Sequence, residues 1–565
     1  MHSLEPKLLT VIREGYTAKR FLSDFTAGIV VAIIALPLAI AFAIASGVAP
    51  ERGIYTAIIG GFLISALGGS RVQIGGPTGA FIVLIYGIVA QYGYEGLAVA
   101  TLLAGGLLIA MGLARLGSVI QYVPYPVTLG FTTGIAIIIA ASQVRDALGL
   151  AMESVPSAFI AKWPAYYHVL NSINILAVMM TIATVLILVA LPRLAPRIPR
   201  SIVALVVFAA CTALFDLPVD TIGHRFGAVP NTLPSFHIPR VSWDMLPNLI
   251  SPAFSIALLA AIESLLSASV ADGMTGRRHR PNAELVAQGI ANVASPLWGG
   301  IPATGAIART ATNIKSGGTT PVAGIVHALA LLLILVVAGR WVALVPMPVL
   351  AGILLVVAYR MSEMHMFTRV LVATTKGDAL VMLSTFALTV IVDLAIALQV
   401  GVVLAALLFM RRMVQISEVK AVTMDNEEDA EVPPEEAALL AGLPKEVTVF
   451  EVSGPFFFGA TQKFASAMSV IKKEPSVLIL RMRRVPIIDA TGLLALEAVH
   501  AQLVTHGSQL ILSGLPPHPY EILIRSNFIK KLGPHNAVAS FEAAVNRAHE
   551  ILKSTEDEGG ARPCA

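Results

Sequence analysis

Long apolar runs dominate the chain, and the charged residues are confined to the short stretches between them. Runs long enough to span about 30 Å of hydrocarbon fall at residues 25–46, 53–69, 95–116, 125–148, 173–191, 201–215, 253–272, 283–298, 320–338, 343–359, 378–392 and 394–410. Two further stretches, Gly75–Gly87 and Pro302–Ile314, are too short and too rich in Gly and Pro for ordinary spans. As half-helices inside the protein they bring the expected total to about fourteen membrane segments. After Arg412 the hydropathy collapses, and an acidic linker, Asp425 to Glu436, leads into strands alternating with helices from Val447 onward. That alternation predicts a small parallel or mixed sheet covered by helices.

Composition agrees with a protein whose solvent is the bilayer. Of 565 residues, 56% are hydrophobic and 13% charged, against roughly 25% charged in soluble domains. The net charge of +4 comes from basic residues in alternate loops, not from a basic face interleaved with aromatics, so no nucleic-acid partner is expected. Lys19 and Arg20 before the first run, the loop arginines 277, 278 and 280, and Arg411 and Arg412 after the last place both termini in the cytoplasm by the positive-inside rule. No cleaved signal peptide is expected in Met1 to Arg20. The two cysteines, Cys211 and Cys564, support neither a disulfide framework nor a metal cluster, and no cofactor is expected. The expected organisation is a cytoplasmic segment (1–20), a membrane domain (21–412), a linker (413–444), an α/β domain (445–553) and a disordered tail (554–565).

The two interrupted stretches echo each other. Gly76-Pro77-Thr78-Gly79-Ala80 matches Pro302-Ala303-Thr304-Gly305-Ala306 when Thr78 is set against Thr304. Repetition over seven segments, an odd number, inverts the second copy, so the two helix starts meet near the midplane. Two facing starts present unsatisfied N–H groups and positive dipole ends, which together make an anion site. The alternative is that both patches serve helix packing alone.

Glu263 lies in the middle of the otherwise apolar or small run Ser251–Ala271, where a carboxylate costs at least about 2.5 kcal/mol. It is read as a proton-coupling group, with a hydrogen-bonded structural acid as the alternative; Ser267, one turn on, is placed in the same cavity. Arg309 is read either as an anion contact or as a residue snorkelling with Lys315 to the cytoplasm. Asp272, Asn282, Asn313 and Asp393 are expected to cap helix ends, and His327 to be packed or hydrogen-bonded.

These residues resemble the SulP anion permeases with a C-terminal STAS domain. The motifs that carry the resemblance are Ala35-Leu36-Pro37-Leu38-Ala39-Ile40-Ala41-Phe42-Ala43, Gly75-Gly76-Pro77-Thr78-Gly79, Ile262-Glu263-Ser264-Leu265-Leu266, Ala271-Asp272-Gly273-Met274-Thr275-Gly276 and the run from Gly299 through Thr310. The resemblance implies a uracil-permease type of fold, seven plus seven inverted segments with a moving core and a static gate, an elevator mechanism and a homodimer. It places substrate contacts at Leu38, Phe42, Thr78, Gly79, Gly305, Ala306, Ile307 and Arg309, and Glu263 where sodium-coupled members carry aspartate, which favours a proton. The implied protein is not an enzyme. The ADGMTG and GGIPATGAIART runs are most similar to the C4-dicarboxylate branch, with bicarbonate, sulfate or chloride transport, or a non-transporting anion sensor, as alternatives. The site implied is in a bacterial inner membrane, in contact with lipid, and the STAS domain leaves room for a cytoplasmic protein partner. Asp489-Ala490-Thr491-Gly492 matches the phosphorylatable STAS loop, but capping of the next helix is the preferred reading.

Overall fold

The computed structural model describes residues 4–120, 124–152, 155–194, 200–227, 232, 234–240, 243–392, 394–421, 434–469 and 475–559. Asp393, Cys564, most of the acidic linker, the end of the expected helix Thr461–Lys473 and the tail from 560 onward lie outside the described residues, whereas residues 554–559, expected to be disordered, end the helix Phe541–Gly559. The chain divides into two compact units, Met1–Ala405 and Ala406–Ala565.

In chain order, the long helices of the apolar part are α1 (Ala18–Ala45), α2 (Pro50–Leu67), α3 (Ile82–Leu113), α4 (Tyr125–Ser142), α5 (Ile175–Leu194), α6 (Arg200–Phe215), α7 (Leu246–Thr275), α8 (Pro281–Leu297), α9 (Ile307–Lys315), α10 (Val322–Val342), α11 (Met347–Met361), α12 (Lys376–Ile391) and α13 (Leu394–Ile416). Gly93, at φ 69° and ψ −176°, breaks α3 in two, a conformation that glycine adopts without the Cβ penalty. The break makes fourteen segments, seven in each repeat. Among the described residues, seven helices are long and apolar enough to cross a membrane on length and composition alone. Their outward faces carry apolar side chains such as Leu333 at 65% and Val372 at 84% exposure, which is stable only against lipid.

Two two-residue strands interrupt the helices: β1 (Gly75–Gly76) and β2 (Thr304–Gly305), paired antiparallel with Gly75 opposite Gly305 and Gly76 opposite Thr304. The caps of the helices that follow, Thr78 and Ala306, set the two copies two residues out of step with the alignment of Thr78 on Thr304. The matching letters misled because Thr78 follows its strand as a helix N-cap, whereas Thr304 lies within its strand.

Asp24 ties the start of α1 to the turn before α10. Fully buried, it accepts hydrogen bonds from the Thr319 and Thr320 amides at 2.7 and 3.2 Å, from both of their hydroxyls, and from the Tyr16 hydroxyl at 2.9 Å. Asp24→Ala strands two buried N–H groups, each worth about 1–3 kcal/mol. The expected result is a stability loss of about 2–4 kcal/mol, read as a lower unfolding temperature of the detergent-solubilised protein, with Asp24→Asn losing less.

Of the four polar residues assigned to span ends, the three described, Asp272, Asn282 and Asn313, do not cap their own helices. Asp272 accepts from the His279 amide and ring at 2.9 and 2.7 Å. Asn282 accepts from the Gly117 amide at 3.0 Å, and Asn313 donates to the Val72 carbonyl at 2.8 Å. These side chains close loops and bridge elements, because the helix starts near them already have other N-caps.

The second unit is a five-stranded mixed sheet in the order β3 (Glu418–Ala421), β4 (Val447–Ser453), β5 (Val477–Arg484), β6 (Gln509–Ser513) and β7 (Ala537–Val538). Only β3 runs antiparallel to its neighbour. One face packs Phe456, Phe464, Leu480 and Phe528, and the other Ile479, Ile511, Phe541 and Val545. Strand β3 falls in the stretch expected to be linker; its four residues are too few to stand out in hydropathy. Asp489 caps the helix Ala490–Thr505 by accepting from the Gly492 amide at 2.8 Å, as the capping reading requires.

Candidate functional site

Strands β1 and β2 deliver two helix starts to one place, and both starts are left without a side-chain cap. Thr78, extended at φ −128° and ψ 158°, precedes the 3-10 turn Gly79–Phe81 that leads into α3; Ala306 precedes α9. Neither makes a side-chain cap hydrogen bond, so the first N–H groups of both helices are available to a ligand. The Thr78 hydroxyl is itself buried without a partner.

Helix α7 holds the crossing in position. The Gly305 amide donates to the Ser264 hydroxyl at 3.1 Å, and the Thr304 hydroxyl donates to the Ala260 carbonyl at 3.1 Å. The 2.7 Å bond between Ser264 and Thr304 therefore has Ser264 as its donor. On the other strand, the Ile74 amide donates to Thr310 Oγ1 at 3.0 Å, which also accepts from Ser267 at 3.3 Å. The Ala306 amide donates to the Ile74 carbonyl at 2.9 Å. These bonds corrrect two of the sequence expectations. Gly305 cannot offer its N–H to substrate because Ser264 takes it, and Ser267 is fully buried facing Thr310. Neither lines the cavity.

That cavity measures about 390 Å³ and brings together the other eight expected residues: Leu38 and Phe42 of α1, Thr78 and Gly79, Glu263 of α7, and Ala306, Ile307 and Arg309. Glu263, 9% exposed, makes no ion pair or hydrogen bond among the described residues. Arg309 is 3% exposed, and both of its terminal nitrogens are buried without partners. It does not snorkel. Its Nη1 lies where a Cβ on Gly76 would stand, 2.6 Å away, and Gly76 has φ 145°; both the space and the backbone there need glycine. His327 is fully buried with neither ring nitrogen hydrogen-bonded, so of its two expected roles only packing remains.

The sequence reading missed Tyr125, Arg200, Ser201, Arg360 and Glu363, which also line the cavity; Tyr125, Arg360 and Glu363 are exposed and mark its mouth. The Tyr125 hydroxyl donates to Glu363 at 3.1 Å. The two arginines had been accounted for as loop charges, so nothing in the sequence singled them out. Glu284 was also missed: fully buried on α8, it accepts from the Gly69 and Ser70 amides at 2.9 and 3.2 Å. It thereby fixes the loop that enters β1.

Comparison with known proteins decides the relationship. The model of the sulfate permease family matches residues 21–385, and that of the STAS domain residues 442–543. The chain belongs to the sulfate permease family. Among its relatives, this sulfate permease family member is 40% identical over 522 residues to YvdB of Bacillus subtilis (strain 168), a provisional sulfate transporter by name, covering 92% of this chain and 96% of YvdB. It is 31% identical over 537 residues to the bicarbonate transporter BicA of Picosynechococcus sp. (strain ATCC 27264 / PCC 7002 / PR-6), covering 93% and 94%. The structure of SLC26A9 superposes with a TM-score of 0.85 over 98% of this chain and 94% of that one at 18% identity, a likeness of fold. The transmembrane domain of a cyanobacterial BicA superposes with a TM-score of 0.61 at 32% identity, covering 69% and 98%. The protein is a multi-pass membrane anion transporter with a C-terminal STAS domain.

Proposed function

We propose that this family member carries a small oxyanion together with a proton, binding the anion between the helix starts at Thr78–Gly79 and Ala306–Ile307. The observation that carries the reading is the meeting, in one cavity, of two uncapped helix starts with an unpaired glutamate and an unpartnered arginine. With Glu263 ionised, its charge cancels that of Arg309, and an arriving anion leaves the low-dielectric site with net negative charge. A proton on Glu263 lowers that excess by one charge. Anion and proton binding are therefore mutually favourable, which is the thermodynamic condition for symport.

Within this class we propose a C4 dicarboxylate, such as succinate, fumarate or aspartate, as cargo. The ADGMTG and GGIPATGAIART runs favour it, and a cavity of about 390 Å³ has room for it. Bicarbonate and sulfate are the rival cargoes, favoured by the names of BicA and YvdB. In this reading the chain works as an elevator in a homodimer, with both termini on the cytoplasmic side of the inner membrane. The test is a panel in proteoliposomes of labelled succinate, bicarbonate and sulfate, each with and without an imposed pH gradient. Succinate is expected to accumulate in the alkaline compartment. Accumulation of bicarbonate or sulfate alone reassigns the cargo, and gradient-independent uptake of all three removes the proton.

A further inference from the structure

Three arginines line the central cavity, but they do not present their charge to it equally. Arg309 is buried, with both terminal nitrogens unpartnered and Nη1 beside Gly76. Of the other two, Arg360 stands at the mouth and Arg200 lines the same cavity. Arg200 is the first residue of α6 and is half-buried; Arg360, near the end of α11, is exposed. Arg200 reaches only the Leu188 carbonyl, at a long 3.4 Å, and Arg360 makes no ion pair or hydrogen bond among the described residues. The helices that carry them, α6 and α11, pack against each other, and the two like charges act on one another. The one carboxylate in that part of the lining, Glu363, is engaged by Tyr125 and lies within ion-pair distance of neither arginine.

Two like charges held together on a water-facing wall, with no carboxylate between them, repel unless something negative joins them. Guanidinium groups are suited to the task, since each offers a planar fork of donors that matches an oxyanion. We propose that Arg200 and Arg360 form a second anion site, a waiting position at the mouth that takes the small oxyanion before it reaches the helix starts. It stands on α6 and α11, whereas the inner site is built on α3, α7 and α9. The proposal rests on the transport reading for its role, though not for the existence of the site. Anion capture at a charged mouth raises the local concentration of cargo, so its loss weakens apparent affinity on that side while the maximal rate is retained.

The test uses the full chain, reconstituted with known orientation in phosphatidylcholine vesicles, with sulfate and succinate as probes. Arg200→Gln combined with Arg360→Gln is expected to raise the half-saturating concentration on the mouth side by about tenfold, to leave the opposite side within about twofold, and to weaken the dependence of uptake on salt. Arg200→Lys with Arg360→Lys keeps part of the effect. Equal changes on both sides, or none, overturn the proposal. So does an effect seen only in vesicles containing phosphatidylglycerol, which makes a lipid headgroup the ligand. If the wild-type chain moves neither probe, the transport reading fails by itself, and calorimetric titration of the solubilised protein decides the site. Binding lost in the double glutamine variant but kept in Arg309→Met supports it. Binding kept in the double variant, or absent from the wild type, overturns it.

Discussion

Glu263→Gln is expected to retain anion exchange across the membrane while losing all accumulation driven by a pH gradient. Glutamine has nearly the shape of the protonated acid and stays neutral, so the site keeps the electrostatic state in which Arg309 and the two helix starts attract an anion. It cannot release a proton, however, so the cycle that returns the empty site deprotonated is closed. For one proton per anion, each pH unit supplies about 1.4 kcal/mol, or roughly tenfold accumulation. With the membrane potential clamped, a two-unit gradient therefore predicts about a hundredfold accumulation by the wild type and none by the variant. The measurement is labelled-succinate uptake in proteoliposomes, paired with counterflow at equal pH on both sides. If the variant still concentrates substrate on a proton gradient alone, Glu263 is a structural acid and the coupling lies elsewhere.

Arg309→Met is expected to abolish transport and to make the protein more stable. A guanidinium that is 3% exposed, with both terminal nitrogens unpartnered, holds its charge in a medium where an unpaired ion is costly. Methionine fills much of the same volume without charge, and replacements of this kind in buried sites are neutral or stabilising by about 1–4 kcal/mol. The anion is what compensates the charge in the wild type. In a background carrying Arg200→Gln and Arg360→Gln, ligand at a hundred times its dissociation constant should therefore stabilise the chain that keeps Arg309 by about 2.7 kcal/mol and the chain with Arg309→Met hardly at all. Unfolding temperatures of both chains, with and without succinate or sulfate, give all four values. A variant that is less stable than the wild type, or that still responds to the anion in that background, rejects this account of Arg309.

The membrane segments were legible in the sequence because burial in lipid imposes a length and an apolar composition that leave little choice. The half-helices stood out for the opposite reason, since Gly and Pro are conspicuous at a depth where other segments are apolar. What the letters did not carry was direction. Ser267 shares a helix face with Glu263 one turn away, yet it does not line the cavity, and its hydroxyl donates to Thr310. Gly305 matched the pattern of a ligand-facing glycine, but its amide belongs to Ser264, a pairing that only the fold brings about. Arg200 and Arg360 were overlooked because topology alone accounts for basic residues at the ends of spans, and sequence offers no way to see two of them lining one cavity.

The pairing of β1 with β2 has a further consequence, for how the two halves of the chain can change over time. Each repeat supplies one strand, and Gly75 opposite Gly305 makes the smallest shared unit of the fold a pair of residues some 230 positions apart in sequence. A side chain at Gly75 would collide with Ile64, and one at Gly305 with Gln73, so an altered strand in one repeat displaces the helix start contributed by the other. The halves of such a chain are free to drift apart elsewhere, in loops, spans and outward faces. At the crossing they remain bound to a common history, because neither copy can be revised there without the consent of its twin.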